Sequence, residues 1–258
     1  MRRVQRGFSL IELMVALVVG LIVSGALLAF TISSVRANAE YVSAARLTQE
    51  LRSVGQFVDS ELRRAGYDED SLSYVAGTTA TQFSPFSPIL LDTTTGANCV
   101  IYGYDRAPGT PGQIDLGNQE VRGIRRSTAT VNGATVGVVE VAESGTGLTP
   151  ACDGAAPDYT KFPIACNAAS GWCAYSDPRT VDIDTFTLND GGVTGSSHGL
   201  QEITATGYTP MQLREFRVTL TGHLRSDATV SQTLSFNVKV RANCLRELAT
   251  NCDAVPGT

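Results

Sequence analysis

Glu12 is the residue of this chain whose surroundings ask most of it, because no other side chain between Phe8 and Arg36 ionises. A carboxylate among lipid-soluble side chains is costly unless it is neutralised or paired, so its chemistry is that of an anion in need of a partner. Six cysteines (Cys99, Cys152, Cys166, Cys173, Cys244 and Cys252) lie downstream, none in a CxxC pair. An even set so spaced suits disulfides in an oxidising compartment. Gly195-Ser196-Ser197-His198-Gly199 matches G-x-S-x-G, the pattern of a serine nucleophile on a strand-to-helix elbow. Its flanks do not fit an esterase: Asn-Asp-Gly-Gly-Val-Thr before it reads as loop, and Leu200–Thr206 after it as strand. Asp68-Glu69-Asp70 and Asp182, Asp184 and Asp190 offer oxygen ligands without the regular spacing of a calcium loop. Arg122, Arg125 and Arg126 form the one basic cluster of the later chain, the single place suited to DNA or another anionic surface. Only His198 and His223 are present to serve a zinc cage or an acid–base relay. No catalytic group, metal site or cofactor is called for.

The elements that hold these residues begin with Leu13–Ile32, LMVALVVGLIVSGALLAFTI, a run of twenty uncharged residues. At about 1.5 Å each they cover about 30 Å, the thickness of a bilayer's hydrocarbon layer. Arg2, Arg3 and Arg6 lie on its N-terminal flank, with no acid in the first seven residues, which predicts an N-terminus in the cytoplasm and the remainder outside. A secretory signal would have a shorter apolar region ending at a small-residue cleavage site. Beyond the run the helical pattern continues, since the first proline is Pro85 and Leu47, Leu51, Val54, Val58, Leu62 and Ala65 recur at spacings of three and four. Gln49, Glu50, Arg52, Asp59, Glu61 and Arg63 take the other faces, and Gly66 supplies a stop.

The rest reads as strand. Phe216–Leu224 and Val230–Val240 alternate in and out around Ser226-Asp227-Ala228, which predicts a long antiparallel hairpin. Further strands are expected at Val100–Tyr104, Val136–Val141, Val181–Leu188 and Leu200–Thr204. The fold class is α+β: a long N-terminal helix with a transmembrane apolar half, packed on an antiparallel β-sheet head with disulfide-stapled loops. Six cysteines allow fifteen pairings. Proximity in sequence favours Cys166 with Cys173, around Trp172, and Cys244 with Cys252, leaving Cys99 with Cys152. With 43% hydrophobic residues the chain is too apolar to be disordered, and a net charge of −5 disfavours a general nucleic-acid binder.

Arg6-Gly7-Phe8-Ser9-Leu10-Ile11-Glu12-Leu13, a basic leader, a Gly-Phe junction and an acid five residues after the glycine, resembles the class III leader of type IV prepilins. The resemblance implies that a prepilin peptidase cuts between Gly7 and Phe8 and methylates the new amino group of Phe8. Residues 1–7 would then be a cleaved leader, 8–66 one long helix (8–32 in the membrane and later in the filament core, 33–66 amphipathic) and 67–258 a β-rich head. Glu12 would pair with the Phe8 amine on its own chain or on a neighbour, which makes it an assembly residue. Many filament-forming pilins carry a proline in the apolar half; here Gly20, Ser24 and Gly25 are the only weak points.

The helix exit Glu61-Leu62-Arg63-Arg64-Ala65-Gly66-Tyr67 and the closing Val238-Lys239-Val240-Arg241-Ala242-Asn243 are similar to the PilW family of minor pilins. That likeness implies a structural subunit, not an enzyme, that starts or caps a type IV pilus. Its partners would be the prepilin peptidase, other minor and major pilins, the inner membrane and the assembly platform. The head would stand in the periplasm, and the protein would lie at the tip or base of the pilus after assembly. The same features fit a minor pseudopilin of a type II secretion system, and a tip adhesin or DNA-contacting pilin is compatible with them.

Overall fold

In the computed structural model the described residues are 9–71, 84–92, 98–190, 199–203, 211–245, 252 and 256. One helix, α1 (Leu10–Arg64), runs for 55 residues without interruption, so Gly20, Ser24 and Gly25 do not break it. Glu12 in its first turn and Arg63 and Arg64 in its last complement the helix dipole. Gly66 ends it in the left-handed region at φ 77°, where a side chain would be strained, and donates its N–H to the Gly103 carbonyl at 2.7 Å. By contact the chain divides into two compact units, Met1–Arg46 and Leu47–Thr258. In the first, the large apolar residues from Leu10 to Ile32 are exposed. This stretch of α1 is long and apolar enough to cross a membrane.

In the second unit the strands are β1 (Ile89–Asp92), β2 (Cys99–Gly103), β3 (Val121–Val131), β4 (Ala134–Glu143), β5 (Trp172–Ala174), β6 (Val181–Asp190), β7 (Gly199–Ile203), β8 (Met211–Leu224), β9 (Asp227–Lys239) and β10 (Cys244–Leu245). The first sheet runs β1-β2-β3-β4-β5, antiparallel throughout. The second is built on β8, which pairs with β6, β7, β9 and β10, again antiparallel. The expected hairpin is present as β8 and β9, with Leu220 opposite Leu234 and Phe216 opposite Val238. The sheets meet where Gly137 of β4 donates its N–H to Asp182 Oδ1 of β6 at 2.8 Å. A Cβ at Gly137 would run into the Ile183 carbonyl, so glycine is what permits this approach.

The stripe Leu47, Leu51, Val54, Val58, Leu62 and Ala65 is fully buried and joins one core with Ile89, Val100, Tyr102, Ile124 and Val139 of the first sheet and Phe186, Leu188, Phe216, Val218, Leu220 and Val238 of the second. The far side of the first sheet is also covered: Cys99, Ile101, Val121, Ala142 and Trp172 form a second cluster. Burial on both faces explains why β2 is buried at all five positions and does not alternate. Four strands were not expected from the sequence: β1, β3, β5 and β10. β3, VRGIRRSTATV, hides its strand character behind three arginines.

Candidate assembly site

The N-terminal determinants begin at the edge of the described residues: Gly7 and Phe8 lie outside them, Ser9 and Glu12 inside. Glu12 folds back on its own helix start, where its Oε2 accepts the Ser9 N–H at 2.9 Å, while Leu13 N–H donates to the Ser9 carbonyl at 3.2 Å. Ser9-Leu10-Ile11-Glu12 has the serine-x-x-glutamate spacing of a capping box, and the glutamate half of that motif is formed. The Ser9-x-x-Glu12 spacing carries this cap in the sequence itself, beside the cation expected as the partner of Glu12. The carboxylate therefore has a neutral hydrogen-bond partner within its own chain, close to the positive end of the helix dipole.

At the other end of α1 an acid that the periodicity assigns to a solvent face is buried. Glu61 is 1% exposed. Its Oε2 accepts the Tyr102 hydroxyl at 2.8 Å and an Arg122 N–H at 3.2 Å, and its Oε1 pairs with Arg64. Arg122 also reaches Glu143 at 2.7 Å and lies 5.3 Å from the Tyr104 ring centre. Burial, then the neighbouring Glu61 charge, push both tyrosine pKa values upward, so Tyr102 stays a neutral donor at any physiological pH. This cluster ties the last turns of α1 to β2 and β3, and nothing in the spacing of Glu61 announced it.

The basic cluster is not a surface. Arg122 is held by Glu61 and Glu143. Arg125 is 6% exposed, bonded through Nε to Glu140 at 2.7 Å and through Nη1 to the Cys152 and Gly154 carbonyls at 2.8 and 2.7 Å, and stacked 4.1 Å over Trp172. Arg126 donates to the Ile183 carbonyl at 2.7 Å. The patch that would have contacted nucleic acid is thus engaged within the fold, Arg122 and Arg125 on carboxylates and Arg126 on a backbone carbonyl.

The three disulfides join Cys99 to Cys152, Cys166 to Cys173 and Cys244 to Cys252, with Cα separations of 5.9, 4.2 and 6.1 Å. Trp172, between the members of the second pair, is fully buried and donates its indole N–H to the Ala151 carbonyl at 2.9 Å. Three of the acids considered for calcium have partners within the fold: Asp182 the Gly137 N–H, Asp184 His223 Nδ1 at 2.9 Å, and Asp68 the Asp70 N–H at 2.8 Å. Among the described residues no group of three or more His, Cys, Asp or Glu side chains could hold a metal ion. Ser196, Ser197 and His198 of the G-x-S-x-G match lie outside the described residues.

Comparison with known families addresses both units. The family described as prepilin peptidase-dependent protein B matches residues 40–240. The chain belongs to this family. The prokaryotic N-terminal methylation motif matches residues 2–28, so this member of the family carries a prepilin-type N-terminus that runs into α1. No curated protein and no solved structure matches the chain significantly. The two family matches make it a type IV prepilin-like protein of pilus or pseudopilus assembly, with dependence on prepilin peptidase carried in the family description itself. They correspond to structural rather than catalytic proteins.

Proposed function

We propose that this chain is a minor pilin that helps initiate or cap a type IV pilus at the inner membrane. The observation that carries the reading is the methylation motif over residues 2–28 joined to a disulfide-bonded β head of the prepilin peptidase-dependent protein B family. A subunit of this size, with three disulfides and several long loops, suits a position used once per fibre more than a repeat used thousands of times. In this account prepilin peptidase cuts between Gly7 and Phe8 and methylates Phe8. The N-terminus faces the cytoplasm and the head the periplasm. The assembly platform then draws Phe8–Ile32 from lipid into contact with other pilins. Glu12 exchanges its Ser9 N–H for the Phe8 amine of an adjacent subunit, so the cap that keeps the carboxylate satisfied in the membrane is also what the incoming cation displaces.

The test is genetic and biochemical. A strain lacking the chain should lose most surface pili while keeping protein secretion, and Glu12→Val should insert in the membrane yet fall at least tenfold in sheared pili. Loss of secretion with normal piliation would assign the chain to a type II pseudopilus instead, and undiminished incorporation of Glu12→Val would remove Glu12 from the mechanism.

A further inference from the structure

β9, Asp227–Lys239, is thirteen residues long and is paired with β8; among the described residues no strand bonds to its other edge. Which of its backbone groups face that edge follows from one bond. Val240 N–H donates to the Arg214 carbonyl at 3.0 Å, so Arg214 and Val240 form a hydrogen-bonded pair at the end of the ladder. In antiparallel pairing such pairs alternate with wide, non-bonded ones. The register is unbroken from Glu215 opposite Lys239 to His223 opposite Ser231. Gln232, Leu234, Phe236 and Val238 therefore bond to β8, while Ser231, Thr233, Ser235 and Asn237 point their N–H and C=O groups away from it.

Long edge strands are normally blunted by proline, a bulge, an inward charge or a lysine in mid-strand, because a free edge recruits other strands. β9 has none of these between Ser231 and Val238, and no charged residue from Ala228 to Val238. Its two faces are also finished differently. Ser231, Thr233, Ser235 and Asn237 are exposed, and Thr233 and Ser235 continue hydroxyl rows with Thr221 and Thr219 at 3.0 and 3.3 Å. On the α1 side Val230, Leu234 and Phe236 are half-buried, with Gln232 among them held by Thr48, a mainly apolar row left partly open at the border of the core.

We propose that the free edge of β9 is a docking site for an extended segment of a different polypeptide, which adds as an antiparallel strand. The occupant is specified by what it would lie beside. It would be uncharged along its middle, with apolar side chains extending the Val230–Leu234–Phe236 row and hydroxyl or small side chains extending the Thr233–Ser235 row. An acid at its N-terminal end would lie near Lys239 and a base at its C-terminal end near Asp227.

A second copy of this chain has a matching charge pattern, since self-pairing about Thr233 sets Asp227 opposite Lys239. Its direction is wrong. Thr48 Oγ1 donates to Gln232 Oε1 at 2.7 Å, Gly55 faces Leu234 and Phe236, and Gly66 faces Ala242, so Leu47–Arg64 runs parallel to β9. The two-fold axis of an antiparallel edge pair stands normal to the sheet and would reverse that segment in the partner, whereas two chains entering from one membrane run the same way. This exclusion alone rests on the anchoring proposed above; the open edge does not.

The probe is a synthetic peptide of about eleven residues with glutamate at its N-terminal end, lysine at its C-terminal end and alternating valine and threonine between, N-methylated along one edge so that it offers a single hydrogen-bonding side. Full-length protein in detergent should bind it saturably. Thr233→Pro deletes an outward N–H without touching the ladder to β8, and should weaken binding at least tenfold while leaving thermal unfolding and the disulfides unchanged. Should that variant fold poorly, Ser235→Pro and a peptide methylated along both edges, which should not bind the unaltered protein, give the same answer. Absence of binding by the unaltered chain, equal binding by the proline variants, or a full-length dimer that Thr233→Pro dissolves would overturn the proposal. Loss of pili in a Glu12→Val strain with peptide binding intact would separate this site from the assembly account.

Discussion

Glu61 shows what a single side chain does for this molecule. It stands where the polar face of an amphipathic helix was expected, yet it is buried and receives a phenol and two guanidinium groups. Removing one member of such a network strands the others, so Glu61→Ala should cost about 3–5 kcal/mol of unfolding free energy in urea titration of the detergent-solubilised chain, and Glu61→Gln clearly less. The tyrosines set a pH limit. Because burial and Glu61 hold the Tyr102 pKa above its ordinary value, the unfolded chain gives up this proton first as pH rises. The neutral phenol's contribution is whole below about pH 10 and declines as pH climbs from there toward the folded value. Tyr102→Phe should flatten the alkaline branch of a stability-versus-pH curve relative to the unaltered chain; a parallel branch would show that the phenol is not what titrates. Tyr159, raised by burial and by its bond to Glu140, adds to the same branch. Neither cluster was legible in the sequence. Helical periodicity marks Leu47, Leu51 and Val54 as core because they are apolar, but it sees a buried glutamate as one more surface charge, and it sees Arg122, Arg125 and Arg126 as a patch when each is answered by a group distant in the chain.

Elements were more legible than contacts. The helix is written in its composition and the absence of proline, and its last turns, like β8 and β9, in an alternation that sets one face against the core and one against polar surroundings. β1, β3, β5 and β10 escaped for different reasons: three are four residues long or shorter, and β3 lies in a sheet covered on both sides, so its arginines occupy inward positions where alternation predicts apolar residues. The disulfides act at this scale as well. Cys99 and Cys152 close a sequence separation of 53, against 7 and 8 for the other two bonds. Loop-closure entropy assigns roughly 4 kcal/mol to the long loop and roughly 2–3 kcal/mol to each short one. Double serine variants of the three pairs, compared by urea unfolding, should place Cys99/Cys152 as the most damaging, the more so because Cys99 lies in the buried cluster with Trp172. Equal losses across the three would mean that loop length is not what these bonds act through.

At the scale of the whole molecule, the proposed function joins the N-terminal methylation motif and the head in one design through removal of the leader. The apolar stretch of α1 satisfies the length of a bilayer, Glu12 has its Ser9 N–H within the chain, and the head is closed by its own core and disulfides. A tether needs no more than that. Under the proposed function, what would turn a tether into a subunit is a new cation created beside Glu12. The most direct measurement is therefore the intact mass and N-terminal sequence of the protein recovered from membranes of cells that make such fibres. The account predicts a chain that begins at Phe8 with a methylated amino group, and an uncut, slower-migrating form when Gly7 is replaced by leucine. A native chain still beginning at Met1 would contradict it.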